Sequence, residues 1–262
     1  MRPGARLICI PLLLLAAGLT PACSLDKGSK KVIKECVLPA DQTGTLSGHW
    51  RTTAIPIALQ AGAFSAQEIG IITSAADTWN SFYSESLGMA AIDYGGNAAS
   101  PRTSSAARPA RLCEQGIVNG TTFTGSVVIY KSGAWPYSTM QDVIALTPFC
   151  SVPASPIPII FNAMVELNYQ NFFIAGKRIP DLKSILVHEF GHLMGLNHSC
   201  EKTTKTGFPN CTNASIDPNY LSASLFPVFS FDSSGYGESR QALNDNDQGR
   251  ANCLYTSPAS TN

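Results

Sequence analysis

Charge is scarce in this chain. Asp, Glu, Lys and Arg make up only 14% of its 262 residues, and acidic and basic residues balance at 18 each. Nothing supplies the basic field that nucleic acid or an anionic membrane surface needs, so no nucleic-acid partner is expected. Histidine is scarcer still, at four. Methionine does not occur after Met194, internal repeats are absent, and the only long apolar run lies at the N-terminus. Hydrophobic residues nevertheless reach 44%, which excludes a disordered chain and allows one good-sized core.

Arg2 and Arg6 precede an apolar run from Leu7 to Leu19, broken only by Pro11 and Gly18. Thr20, Pro21, Ala22 and Cys23 follow. This is the pattern of an export signal over residues 1–22, and the run is short for a membrane span. Cys23 stands where a bacterial lipoprotein signal places its lipidated cysteine, with Thr20 where leucine is usual. The expectation is an exported protein, lipid-anchored through Cys23 in the bacterial cell envelope, or extracellular if ordinary signal cleavage occurs nearby. Any membrane attachment runs through that anchor alone. Residues 23–47 are polar, carry Lys27, Lys30, Lys31 and Lys34, and read as a linker. A domain over 48–256 and a disordered tail over 257–262 complete the organisation.

The chain has eight cysteines. Setting aside Cys9 in the signal and Cys23 leaves Cys36, Cys113, Cys150, Cys200, Cys211 and Cys253. An even set in an exported chain implies three disulfides. Cys200 and Cys211, joined by a short polar loop, are the best local pair; the other pairings stay open.

Ile55 to Leu59 reads as a strand. Residues 65–83 read as an amphipathic helix, with Ser65 and Glu68 in capping-box spacing and Ile69, Ile72, Ala76 and Trp79 on one face. Residues 95–111 are rich in Gly, Ala, Ser, Pro and Arg and read as an exposed loop with Arg102, Arg108 and Arg111 solvated. Val127–Tyr130 and Ile157–Asn162 look like strands. Pro156 and Pro158 make the second an edge strand or a late-starting one. Residues 181–195 form the clearest helix, and a short helix lies near 244–254.

Three of the four histidines fall in the stretch from Asp181 to His198. His188 and His192 are four apart, so their imidazoles leave one face of a helix about one turn apart, as two ligands of one tetrahedral zinc require. Glu189 is adjacent to the first ligand but rotated off the metal axis. Gly195 can end the helix in a left-handed conformation, and His198 then supplies a third nitrogen. Three protein ligands leave the open position of a catalytic zinc. Leu182, Leu186, Phe190 and Leu193 would anchor the helix in the core. His49 lies outside this pattern.

His188-Glu189-x-x-His192-x-x-Gly195-x-x-His198 resembles the metzincin signature, and Ser199 directly after it resembles a matrixin. Weaker similarity runs through most of 48–255. The resemblance implies an α+β, zincin-like catalytic domain: a twisted mixed sheet, an active-site helix and an irregular C-terminal subdomain ending in a helix. It makes Ile159–Asn162 the edge strand on which an extended peptide lies. It also implies a methionine turn beneath the metal, and the best match is Ser224-Leu225-Phe226-Pro227, with Leu225 in the methionine position and Pro227 after it. A Leu–Met exchange costs less than ~1.5 kcal/mol. Cys36 is placed either in a disulfide or, as a thiolate, over the metal.

The implied activity is zinc-dependent endopeptidase chemistry: one zinc on His188, His192 and His198, a bound water activated by Glu189, and a peptide or protein substrate. Leu225 to Tyr236 would wall a side-chain pocket, with Phe226, Phe229 and Phe231 either lining it or packing. Two other readings share the motif. One is a catalytically silent zinc-binding envelope or adhesion protein on the same scaffold; the other is a zinc hydrolase of non-peptide substrates. Retention of Glu189 favours catalysis. No loop motif supports a calcium (Ca2+) site. The sequons at Asn119, Asn210 and Asn213 are expected to be silent in a bacterial host.

Overall fold

The computed structural model describes residues 31–52, 54–114 and 126–256. The expectations for the signal peptide, Cys23, Asn119 and the 257–262 tail lie outside them. Eight strands form one sheet: β1 (His49–Trp50), β2 (Ile55–Gln60), β3 (Ile92–Asp93), β4 (Thr103–Ser104), β5 (Val127–Ser132), β6 (Ala145–Leu146), β7 (Phe149–Val152) and β8 (Ile159–Asn168). The helices are α1 (Ala66–Leu87), α2 (Leu182–Met194), α3 (Pro218–Leu221) and α4 (Asp245–Tyr255). The chain is a mixed α and β structure in which β6 and β7 run antiparallel to β8 and every other pairing is parallel.

Long β8 organises the sheet. Along one side it pairs with β1 and then β5; along the other it pairs with β7 and then β6. Ile160 therefore lies between Trp50 and Ser151. This corrects the expectation that Ile159–Asn162 is an edge. The strand starts late, after Pro156 and Pro158, and is flanked on both sides. Among the described residues β7 pairs only with β8, so the edge is β7.

The sheet's apolar alternation explains where the helices sit. Ile57, Leu59, Ile129, Val165 and Leu167 belong to one buried cluster with Ile72, Ala76, Trp79 and Phe82 of α1 and Leu186, Phe190 and Leu193 of α2. The intervening residues Val128, Tyr130 and Met164 form a smaller cluster, as the period-two pattern of a strand demands. Trp79 Nε1 donates to Val187 O at 2.9 Å, locking α1 to α2. Helix α1 begins with the expected capping box, Ser65 and Glu68 exchanging side-chain and backbone bonds.

Two further expectations need correction. Described residues from Val32 onward belong to one compact unit, so the domain begins before residue 48 and takes in the described part of the expected linker. Ser47 N donates to Gly195 O and Val37 N to Gly249 O, at 2.7 and 3.1 Å. Cys36 is bonded to Cys253, so of its two expected placements the disulfide is the one found. Within this segment Gln42 and Thr45 are fully buried, while Lys31, Lys34 and Glu35 stay exposed. Similarly, Arg102 and Arg108 are half-buried and paired rather than freely solvated. Arg102 pairs with Asp93 at 2.9 Å. Arg108 pairs with fully buried Glu166, whose Oε2 also accepts from Tyr137 at 2.6 Å.

The remaining disulfides are Cys113–Cys150 and the expected Cys200–Cys211. Three disulfides fit an oxidising, exported environment. Among the described residues no helix is long and apolar enough to cross a membrane.

Candidate metal centre

Helix α2 carries the first two histidines and is held at both ends. Asp181 accepts from Ser184 N at 2.8 Å as the N-cap. Gly195 closes the C-terminus with φ 112°, its N–H reaching Gly191 O and His192 O. No other residue fits there. A Cβ on Gly195 would stand 2.0 Å from Gly48 O, in a conformation that side chains resist. The chain reverses at this point and brings His198 back over the helix. Ten of the helix's residues, Ser184 to Gly191 with Leu193 and Met194, are buried, so the ligands sit on an anchored element.

The three imidazoles form one cluster, with ligand atoms within 4.8 Å of one another. His188 Nδ1 lies 2.7 Å from Ser224 O, and His192 Nδ1 lies 2.7 Å from Leu196 O. A carbonyl only accepts, so in both rings Nδ1 carries the proton and Nε2 keeps its lone pair. These two Nε2 atoms converge to 3.0 Å. Opposed lone pairs at that distance repel unless a cation lies between them. The spacing is close to that of neighbouring ligands on a tetrahedral zinc, about 3.3 Å for Zn–N bonds of about 2.0–2.1 Å. Burial, reinforced by His192, lowers the pKa of His188 to about 3, and burial lowers that of His192 to about 4. Burial, with the two neighbouring rings, pushes His198 lower still. All three rings are neutral near pH 7, as metal ligands must be. The donor set fits zinc.

Glu189 is 5% exposed and lies beside β6 and β7. Thr147, between those strands, donates its hydroxyl to Glu189 Oε2 at 2.6 Å. Burial pushes the Glu189 carboxyl up to about 7, against the lowering effect of the Thr147 bond. A carboxyl titrating there can both take and return a proton at neutral pH.

The turn around Leu225 lies beneath the cluster. Leu225 is fully buried and packs so closely on α2 that a Cβ on Gly191 would meet its Cδ2 at 2.6 Å. A glycine between the two helical ligands is what lets the turn approach. Ser224 of this turn accepts from His188, and Leu225 O accepts from Ser199 N at 2.9 Å. Pro227 follows, half-buried.

Helix α4 holds the turn and the third ligand together. Asp247 accepts from Ser224 N at 2.7 Å and Leu225 N at 3.3 Å. Arg250 Nη1 donates to Asn197 O at 2.9 Å and His198 O at 3.4 Å. Both side chains are fully buried, with Arg250 Nη2 3.7 Å from Asp247. Burial pushes the Asp247 carboxyl above its ordinary range and pulls Arg250 down to about 10, each opposed by the other. From the N-terminal segment, Gln42 Nε2 donates to Ser199 O at 2.6 Å and Gln42 Oε1 accepts from Asn246 at 2.7 Å.

The structure thus brings together His188, Glu189, His192, His198 and Leu225. His49 stays on β1, outside the cluster. The three loop aromatics carry guanidinium groups: Arg240 lies over Phe226 and Phe229 at 4.9 and 5.3 Å, and Arg178 over Phe231 at 5.2 Å. Thr147, Asp247, Arg250 and Gln42 were not foreseen. Asp247 alone had a visible signal, the Asn244-x-x-Asp247 capping pattern, which reads as local helix chemistry. No model of a known protein family matches this chain, and no curated protein matches it either.

Proposed function

We propose that this protein is a zinc-dependent endopeptidase of the metzincin type, matrixin-like, that works outside the cytoplasm. The observation that carries the reading is the pairing of three converging imidazoles with a buried carboxyl, one residue from the first ligand and bonded by Thr147. The arrangement of a mixed sheet, a histidine-bearing helix and a final helix supports it, as does the Leu225 turn beneath the ligands.

His188, His192 and His198 would hold the metal. When bound, zinc supplies Lewis acidity, polarising a carbonyl and making water a better nucleophile near pH 7. Glu189 takes the proton from the attacking water and returns it to the leaving amine. Thr147 keeps the carboxylate oriented between transfers. The substrate lies extended along β7, which among the described residues pairs only with β8 and continues from Thr147, so it runs beside the base. An N-terminal lipid on Cys23 would tether the enzyme to the cell envelope.

The test is hydrolysis of an unstructured protein by the purified chain and by its Glu189→Ala variant, with bound zinc quantified in both. Activity in the parent, and its loss in a variant that retains zinc, is the expected result. Full zinc with no activity in either would overturn the endopeptidase reading in favour of a silent binding scaffold.

A further inference from the structure

The three candidate ligands are not supported alike. His188 and His192 each rest Nδ1 on a backbone carbonyl at 2.7 Å. His198 has no such carbonyl among the described residues. Its Nδ1 faces a carboxylate instead, Glu201 Oε1, at 4.0 Å.

Glu201 is presented there by a small built frame. It directly follows Cys200, which is fully buried and bonded to Cys211. Its own N–H donates to Pro209 O, and its carbonyl accepts from Cys211 N, both at 2.9 Å. The main chain of Glu201 is thus pinned on both sides and only its side chain is free to swing. Lys205 Nζ lies 3.6 Å from the same Oε1, and its position is set by the Phe208 ring, 3.9 Å away. The Glu201 side chain is 27% exposed, which leaves it room to move.

We propose that Glu201 is the positioning residue of the third ligand: its carboxylate accepts the His198 Nδ1 proton, which fixes the tautomer that leaves Nε2 free for the metal. The proposal rests on the metal reading of the histidine cluster. Closing from 4.0 Å to hydrogen-bond length needs a side-chain movement of about 1 Å, which the pinned main chain permits. A carboxylate behind a histidine strengthens that ring as a donor and holds its plane, and such partners change metal affinity by about 10–100-fold. On this account the Cys200–Cys211 loop holds Glu201 at the right distance from a ligand two residues before the bridge. The competing account is an exposed Glu201–Lys205 ion pair, which contributes little to anything.

The experiment measures zinc affinity by chelator competition in the full chain and its Glu201→Ala, Glu201→Gln and Lys205→Met variants, together with the visible spectrum of each cobalt(II)-substituted protein. Glu201→Ala is expected to weaken zinc binding by about 10–100-fold and to shift the cobalt bands, while the metal-free protein melts as the parent does. Glu201→Gln, whose amide oxygen still accepts, recovers part of the loss. Lys205→Met leaves both readouts unchanged. Unchanged affinity and spectrum in Glu201→Ala would overturn the proposal, as would an affinity loss matched by Lys205→Met. If Glu201→Ala does not fold, Glu201→Met, similar in length but without an oxygen acceptor, decides the matter by the same two readouts. Failure of the parent chain to bind zinc at all would instead bring down the metal reading itself.

Discussion

Asp247→Ala is expected to damage the protein far more than its distance in sequence from the histidines implies. The carboxylate is fully buried and does three things at once: it accepts from Ser224 N and Leu225 N, accepts from Asn244 N at 3.2 Å, and faces the buried Arg250 guanidinium. Removing it leaves two turn N–H groups unsatisfied, at about 1–3 kcal/mol each. It also strands a buried cation, and breaking a buried pair from one side costs about 3–5 kcal/mol. These contributions overlap, so the larger is the working figure: about 3–5 kcal/mol, or roughly 6–20 °C in melting temperature for a domain of this size. The assay is urea denaturation under chelation with disulfides intact, because bound metal would add its own stabilisation. Arg250→Met alone removes the cation along with the bonds to Asn197 and His198. The double variant Asp247→Ala with Arg250→Met should cost clearly less than the two single losses added, since no buried charge is left unpaired. A single-variant loss below about 1 kcal/mol, or additivity within about 0.5 kcal/mol across the cycle, would refute the reasoning.

Other outcomes follow from the same geometry. Gly195→Ala forces a side chain into φ 112° and within 2.0 Å of Gly48 O; it should destabilise the domain by at least about 2 kcal/mol and weaken zinc binding, read by denaturation and chelator competition. Thr147→Val removes the hydroxyl donor to Glu189; hydrogen bonds to charged groups contribute about 1.5–3 kcal/mol, so peptide hydrolysis should fall by about ten-fold or more with zinc retained. Glu68 sets an acid limit. Burial pushes its carboxyl up, but the bonds from Lys131, Tyr169 and Ser65 outweigh this and hold its pKa at about 2 against 4.5 unfolded. A depressed carboxyl stabilises the fold above the unfolded pKa and loses that contribution as pH falls towards 2. Melting temperature should therefore drop between about pH 5 and 2, less steeply in Glu68→Gln.

What could be read in the sequence was local. The capping box at Ser65, the spacing of His188 and His192 and the glycine stop at Gly195 each depend on neighbours within a turn or two, and all three helices formed where expected. Long-range partnerships were illegible. Gln42 bonds a carbonyl 157 positions away, so in sequence it reads as one more polar residue of a linker although its amide is bonded inside the domain. Arg108 looked solvated because its partner Glu166 lies 58 residues on, in a mainly apolar strand. The edge of the sheet was misassigned because edge status depends on which strands pair across, and Phe149–Val152 carries no mark of it. Leu225 was found only by resemblance; its packing on Gly191 depends on a close approach between distant segments.

The Cys36–Cys253 bond has a mechanical consequence. It joins the two ends of the domain, with Asn252 Nδ2 also donating to Ile33 O at 2.8 Å. A pull arriving through the N-terminal segment meets a covalent clasp before it can peel that segment from Gly195 and Asn197. Load passes directly into α4 rather than along the backbone bonds that seat His198. The same clasp makes the chain nearly circular. A permutant that links the last helix to residue 32 and opens in the exposed Asn97–Ser100 turn should keep its fold, and a force probe on it should register the same clasp from either end.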